Sequence, residues 1–446
     1  MALTGLDIYK LLPKGNCKKC GMPTCLAFAM QLAQKRTELE KCPEVSEEAK
    51  QKLAAAAAPP IRLVTFGQGA NKVQIGQETV LYRHEEKFYN PTVMAVTVSD
   101  SLEGDALTQR IEAVNALQFD RVGQHIAVNA IAVKNDSKSV ASFAAAAEAV
   151  QKNSPLAIIL LTDSAQAMAA ALEKTAAAKP LLAGVGLDSC DAMAKLAKEK
   201  ACPLAVKASS LEDLAELTEK VQAQGVEDIV LNLDGLSLKD QVHGLSRIRT
   251  LALKKGFRPL GYPTLALACE GSTDQQTARA TSLICKYGSV VVMETVEPAA
   301  YLSLLTVVSN VFSDPQKPIQ VEPKLYAIGE PDENAPLLFT TNFSLTYYTV
   351  ESDVEASRVP AYVLVVDTEG TSVLTAYSGD KLNEKAVSAA IKKFEVEKTI
   401  KHRKMIIPGY VAVMSGKVEE ATGWEVMVGP RESSMIPKYL QEVWSA

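Results

Sequence analysis

The residues most capable of chemistry crowd one end of the sequence. Of the eight cysteines in the 446 residues, four fall as Cys17-x2-Cys20-x4-Cys25-x16-Cys42. Three thiolates within nine residues can converge on one centre. The fourth can return from the far end of a helix, which the apolar pattern predicts over residues 26–39. Thiolate is the soft ligand that iron–sulfur chemistry prefers, and a four-iron cubane needs one at each corner. Pro43 follows the last cysteine, and Lys14, Lys18, Lys19 and Lys41 would offset the negative charge of a ligated cluster. Zinc and free buried thiols are the competing readings. Structural zinc usually pairs two C-x2-C knuckles, and only the first pair here has that spacing. Cys190, Cys202, Cys269 and Cys285 are scattered and read as buried structural thiols.

Elsewhere the chemical signals are quieter. The four histidines, His84, His125, His243 and His402, sit in no ligand or triad spacing, and the sequence holds no G-x-S-x-G elbow, H-E-x-x-H pair or P-loop. Ser99, Asp100, Asp163, Asp188, Asn232, Asp234, Glu270 and Glu294 fall at the ends of strand-like runs. They read mainly as helix caps, as at 163–164 and 188–189. Two late loops are rich in Gly, Ser and Thr: 368–375, expected to run from a strand end into another strand, and 429–434, leading into a terminal helix. Glycine permits close backbone approach and the hydroxyls offer hydrogen bonds, so this rim can hold a large flat cofactor with polar edges. Ordinary turn chemistry is the other reading.

These groups need elements to position them, and the predicted fold class is a multidomain α/β chain. Apolar runs at 93–98, 126–133, 157–161, 181–185, 204–206, 228–231, 262–267 and 290–293 alternate with helical stretches such as 105–117, 139–150, 164–178, 188–198 and 211–222. Strands buried on both faces read as continuous apolar runs, and eight strand–helix units predict a (β/α)8 TIM barrel. A doubly wound open sheet is the alternative, weakened because no G-x-G-x-x-G turn follows an early strand. The sequence divides into 1–57, the cluster domain; 58–92, a linker and hairpin; 93–318, the barrel; and 319–446, a smaller α/β domain. The first boundary is the alanine run 54–58 before Pro59 and Pro60, and the second is marked by Pro315, Pro318 and Pro323. In the last domain, strands are predicted at 362–366, 372–376, 411–414 and 425–428, with helices at 381–394 and 433–443.

Composition narrows the function. A formal net charge of −5 argues against a dedicated nucleic-acid binder, and no apolar stretch is long enough for a membrane span. Residues 1–10 lack a basic and then apolar start, so no secretory signal is expected; a cytoplasmic location is, and with it metal or redox chemistry for the clustered thiols.

Read in order, the chain resembles the large (gamma) subunit family of the corrinoid iron–sulfur proteins of the reductive acetyl-CoA (Wood–Ljungdahl) pathway. The resemblance rests on Pro13-Lys14-Gly15-Asn16-Cys17 with Cys20, Cys25 and Cys42, on the eight-unit middle, and on Gly370-Thr371-Ser372-Val373-Leu374-Thr375. It implies a methyl carrier, a subunit of a corrinoid-dependent methyltransferase system. A corrinoid cobalt takes a methyl group from methyltetrahydrofolate through a methyltransferase and passes it to acetyl-CoA synthase. It implies a [4Fe-4S] cluster on the four cysteines that returns oxidised Co(II) to Co(I). It also implies a base-off cobamide touching Gly370, Thr371, Ser372, Val373, Leu374 and Ser433, with Thr340 and Thr346 on the loop before the first tail strand. No histidine stands in the D-x-H-x-x-G motif by which many corrinoid proteins ligate cobalt. The implied partners are a smaller barrel subunit in a heterodimer, the methyltetrahydrofolate methyltransferase, acetyl-CoA synthase/CO dehydrogenase and a reductive activator. Residues 54–60 would be a mobile tether for the cluster domain. Two other readings stand beside this one: a methyltetrahydrofolate-binding methyltransferase barrel with Asn232 and Asp234 on the pterin, and a plain electron-transfer iron–sulfur protein.

Overall fold

The structure, a computed structural model, describes residues 5–33, 37, 39–46, 49, 59–233 and 235–444. Asp234 and residues 54–58 of the expected tether lie outside the described residues. The chain forms two compact units: one runs to Phe119 and from Ile126 to Phe312, the other comprises Asp120–His125 and everything from Ser313 onward. Among the described residues no helix is long and apolar enough to cross a membrane.

In the first unit, the antiparallel hairpin of β1 (Val64–Phe66) and β2 (Val73–Ile75) precedes the barrel. The barrel opens with β3 (Val93–Ser99). A second hairpin, β4 (Gln118–Arg121) and β5 (Gln124–Ala127), follows. The remaining barrel strands are β6 (Ala130–Lys134), β7 (Ala157–Leu161), β8 (Leu181–Val185), β9 (Leu204–Ala208), β10 (Ile229–Leu233), β11 (Thr264–Leu267) and β12 (Val290–Met293). All eight pair in parallel, and β12 closes on β3. Alternation decides what each face buries. Ala95, Ala130, Ala132, Ala157, Ala183 and Ala205 point inward with a few larger residues, while Met94, Val96, Val98, Ile131 and Leu160 face the helices. Small inner residues leave room at one end for Val64, Phe66 and Ile75 of the first hairpin, which join the inner cluster. That end is where strands begin: the Gly67 amide donates to Lys179 O and the Arg62 amide to Gly261 O, both just ahead of strands.

The predicted strand 126–133 is two pieces. Val122 and Gly123 take left-handed backbone (φ 50° and 66°), which makes the two-residue turn favoured in hairpins, so Ile126 belongs to β5. The barrel strand begins only after Asn129, whose side chain accepts from the Met94 amide at 3.1 Å. The helices around the barrel start on serine: the hydroxyls of Ser139, Ser164, Ser210, Ser237 and Ser272 each accept from a first-turn amide. Each such cap is worth about 1 kcal/mol. At 188–189 the expectation of a cap fails, because the Ser189 hydroxyl turns back to Gly186 instead.

The second unit holds one five-stranded sheet, β13 (Leu325–Ile328), β14 (Leu337–Thr341), β15 (Ala361–Val366), β16 (Lys404–Ile407) and β17 (Glu425–Val428), in the order β13-β15-β14-β16-β17. Only β13 is antiparallel to its neighbour. Its core is split by the sheet. Phe339, Leu364, Met405 and Ile407 pack with Val387, Ile391 and Val418 on one face, while Leu338, Val363, Val365 and Ile406 pack with Tyr347, Val354, Ile436 and Leu440 on the other. This is a doubly wound arrangement, with the strand order reversing between β14 and β16. Two expectations for this unit are corrected. Residues 373–376 fall in the helix Val373–Ser378, with Ser372 at its N-terminal boundary, and residues 411–414 in the 3-10 turn Gly409–Met414. Both follow a strand end, where the chain must cross over to the next parallel strand, and β-branched content there does not make a further strand. Thr340 and Thr346 are likewise not on a loop: Thr340 is the penultimate residue of β14, and Thr346 is in the helix Ser344–Ser357.

Candidate functional site

In an open α/β sheet, the crevice for ligands lies beyond the carboxyl ends of the strands, where the strand order reverses. Here that point is between β14 and β16, and a cavity of about 350 Å³ opens there. Its floor is apolar, made by Leu338, Ile406 and Ile407, and Thr340 reaches it from the end of β14. Thr340 is 1% exposed, and its hydroxyl finds no partner among the described residues. A buried hydroxyl left unpaired costs about 1–3 kcal/mol, which a bound polar ligand atom would recover.

Six of the eight residues singled out for a cofactor line this cavity: Thr340, Thr346, Ser372, Val373, Leu374 and Ser433. Gly370 and Thr371 do not line it, and they shape the loop that does. Gly370 sits at φ 71°, and a Cβ there would come within 2.6 Å of Gln320 Cγ. The Thr371 hydroxyl donates to Thr368 O at 2.7 Å. The hub of this loop is a residue the sequence reading missed. Buried Asn342 accepts at Oδ1 from the Thr368 amide, the Thr368 hydroxyl and the Gly370 amide at 2.9–3.0 Å, and donates from Nδ2 to Gln320 and Asp367 at 3.1 Å. An asparagine one residue after a β-branched run gives no local signal of this role.

Opposite it, two loops close against each other. The Gly429 amide donates to Ile407 O at 2.8 Å and the Gly409 amide to Pro430 O at 3.0 Å. A Cβ on Gly409 would lie 2.5 Å from Gly429 O, so the approach requires glycine. The Tyr410 phenol donates to Glu432 at 2.6 Å. That bond, with the carboxylate's charge, raises the phenol above its ordinary pKa. None of the four histidines lines the cavity; His402, for one, is held by Ala335 O at 2.9 Å.

At the other end of the chain, the helices Gly5–Leu11 and Cys25–Ala33 share a small core of Ile8, Leu12, Phe28, Ala29, Val45 and Ala49. Cys25 and Cys42 are buried in it, Cys20 is half-buried and Cys17 is exposed. The connecting loop is unusual in its backbone: Lys14, Asn16, Lys18 and Gly21 all take positive φ. The Asn16 carbonyl oxygen accepts from the Cys25 amide at 2.8 Å, and the Thr24 hydroxyl caps the same helix on the Ala27 amide at 3.1 Å. Lys19 is spoken for by Glu44 at 2.6 Å, a bond that raises the lysine pKa and lowers that of the carboxyl. Among the described residues, no group of three or more Cys, His, Asp or Glu side chains is gathered closely enough to hold a metal ion. The donor chemistry nevertheless fits a sulfur-ligated group: four free thiols share one short segment whose apolar core is too small to be very stable alone.

In the barrel, the strand-end polar residues are mostly engaged. Asp100 accepts from the Ser137 amide at 2.8 Å and hydroxyl at 2.7 Å, Glu270 pairs with Arg279 at 2.9 Å, and the Ser99 hydroxyl accepts from the Ser101 amide. Asn232 is 2% exposed, and its side-chain carbonyl finds no partner among the described residues.

Comparison with known proteins agrees with this layout. Residues 63–440 match the family described as CO dehydrogenase/acetyl-CoA synthase delta subunit, and residues 12–44 match the one described as "Putative Fe-S cluster". The chain is 46% identical to the corrinoid/iron-sulfur protein large subunit of Moorella thermoacetica, over 98% of each chain. It is 39% identical to the acetyl-CoA decarbonylase/synthase complex subunit gamma of Methanothermobacter thermautotrophicus over the full length of both, and 36% identical to that of Methanopyrus kandleri over 99% of this chain and 98% of the other. The chain therefore belongs to the family of corrinoid/iron-sulfur protein large subunits and acetyl-CoA decarbonylase/synthase gamma subunits.

Proposed function

We propose that this chain is a methyl-group carrier of acetyl-CoA metabolism, holding a corrinoid at the cavity between β14 and β16 and a [4Fe-4S] cluster on Cys17, Cys20, Cys25 and Cys42. When bound, the corrinoid supplies a cobalt centre able to accept and release a methyl group, and the cluster supplies the electron that restores the cobalt's reduced state. The chain's own residues bind and orient. The loop from Gly370 to Leu374 and Ser433 offer hydroxyls and backbone to the edges of the macrocycle. The apolar floor, with the Thr340 hydroxyl, takes a displaced tail base and excludes water from it. No histidine is among the described residues lining the cavity, so the lining would offer a bound corrinoid hydroxyl, backbone and apolar contacts and no imidazole.

The observation that carries this reading is the switch-point cavity with its buried, unpaired Thr340 hydroxyl, in a chain of this family. The methyl donor is methyltetrahydrofolate, acting through its methyltransferase, and the acceptor is acetyl-CoA synthase/CO dehydrogenase. A smaller barrel subunit completes a heterodimer, a reductive activator supports it, and the setting is cytoplasmic. Protein purified without air is first reduced to Co(I) with a low-potential reductant and then incubated with methyl-labelled methyltetrahydrofolate and the methyltransferase. Transfer of labelled methyl to the protein supports the reading, and corrinoid-loaded protein that stays unlabelled overturns it.

One observation favours a second reading. Asn232, next to the last residue of β10, has a buried side-chain carbonyl with no partner among the described residues, as a residue holding a heterocyclic N–H would. A methyltetrahydrofolate-binding barrel predicts tight binding of that compound to the isolated chain, lost in Asn232→Ala.

A further inference from the structure

Apolar side chains and hydroxyls line most of the cavity, and among the described residues Arg431 and Glu432 are the only charged ones lining it. These two neighbours are not equivalent. The Glu432 carboxylate is occupied by the Tyr410 phenol at 2.6 Å. Arg431 makes no ion pair and no side-chain hydrogen bond among the described residues. Its backbone is anchored, because it follows the pair of loops zipped by Gly409 and Gly429; its amide nitrogen lies 2.8 Å from where a Cβ on Gly409 would sit. Among the described residues, Arg431 is thus the one cation lining the slot, and its guanidinium is in no ion pair there.

The size of the slot says which part of the cofactor enters. About 350 Å³ is far too small for a corrin macrocycle, and it suits a nucleotide tail. In a cobamide the tail base joins the macrocycle through a ribose and one phosphodiester, a permanent anion at neutral pH. A base lodged over Thr340 therefore leaves the phosphodiester near the rim. We infer that Arg431 is the phosphate clamp of the cofactor's tail, gripping the phosphodiester with its guanidinium fork while the apolar slot below it takes the base. This deepens the corrinoid reading and rests on it. The planar fork matches phosphate geometry bidentately, whereas lysine would act only as a point charge. Glu432 keeps its charge, accepts from Tyr410 at 2.6 Å and, among the described residues, makes no ion pair with Arg431.

The test separates the clamp from the cavity by trimming the ligand. Full-length chain, freed of corrinoid under anaerobic conditions, is titrated with three probes. Cob(II)inamide has no phosphate, cob(II)inamide phosphate has the phosphate without the base, and cob(II)alamin has both. Arg431→Gln is expected to weaken the two phosphate-bearing probes about tenfold, as for the loss of a charge-assisted hydrogen-bond pair, and to leave cob(II)inamide within about twofold. Arg431→Lys is expected to recover part of the loss, and added salt to narrow the gap between native and Gln variant. An equal loss on all three probes, or no loss on any, overturns the clamp while leaving the cavity as the corrinoid site. Failure of the native chain to bind any of the three overturns the corrinoid reading itself, and the clamp with it.

Discussion

The two ends of this chain would hold their cofactors by opposite means. At the front, four thiols within 26 residues would supply strong, directional bonds, and among the described residues two short helices frame them. At the back, a cavity is assembled from the ends of β14 and β16 and from loops near residues 372, 409 and 431, none of which forms a strong bond alone. A ligated centre tolerates a loose scaffold because each bond carries so much of the energy. A shape-based site needs the whole sheet in place, because its affinity is the sum of many weak contacts. The difference predicts sharp, all-or-none effects from single substitutions at the front and graded ones at the back.

The largest effect is expected at the front. Cys42→Ser replaces a buried thiol of the small core and should abolish the cluster, with iron falling from about four per chain and its visible absorption lost. Cys285→Ser, at an exposed thiol on the barrel, should change neither. Retention of full iron in the Cys42 variant would break the comparison.

Gly409→Ala comes next. The added methyl would meet Gly429 O at 2.5 Å, so the two loops must part. A cost of about 1–3 kcal/mol in denaturant unfolding of this unit is expected, with corrinoid retention reduced but not abolished. Thr340→Val should show a smaller effect with a split sign. Removing an unpartnered buried hydroxyl stabilises the corrinoid-free chain by up to about 1 kcal/mol, yet weakens binding several-fold if that hydroxyl meets the ligand. Loss of stability without loss of binding would mean that the hydroxyl serves the fold and not the site.

The smallest effect concerns the barrel thiols, which belong to neither site. Burial raises Cys202 and Cys269 to about 11, so at neutral pH both are almost wholly protonated and shielded. Iodoacetamide should therefore modify Cys285 first and these two only as pH rises toward that value or the barrel unfolds, as peptide mass mapping will show.

The same contrast explains what could be read from the sequence. The cysteine spacing is a local pattern and needs no knowledge of the fold. The barrel was legible for a related reason: each strand buried on both faces is a short apolar run, and all eight carry that mark. The tail domain was harder. Leu337–Thr341 and Lys404–Ile407 are the two strands that make the cavity, and they are short runs with nothing to set them apart until their neighbours are known. Val373–Ser378 has strand-like composition and is helical because the chain must cross the sheet there. Which residues face the cavity depends on a strand order fixed by long-range pairing, so Thr340 and Ser433 could be named from resemblance, whereas Asn342 and Arg431 became visible only in the fold.

The central claim, one chain carrying both a sulfur-held cluster and a corrinoid, is tested most directly by metal analysis of the chain purified without air together with its small partner. The account predicts cobalt at about one and iron at about four per chain, with cobalt lost on corrinoid removal and iron retained. Zinc in place of iron, with no cobalt in the pair, would contradict it.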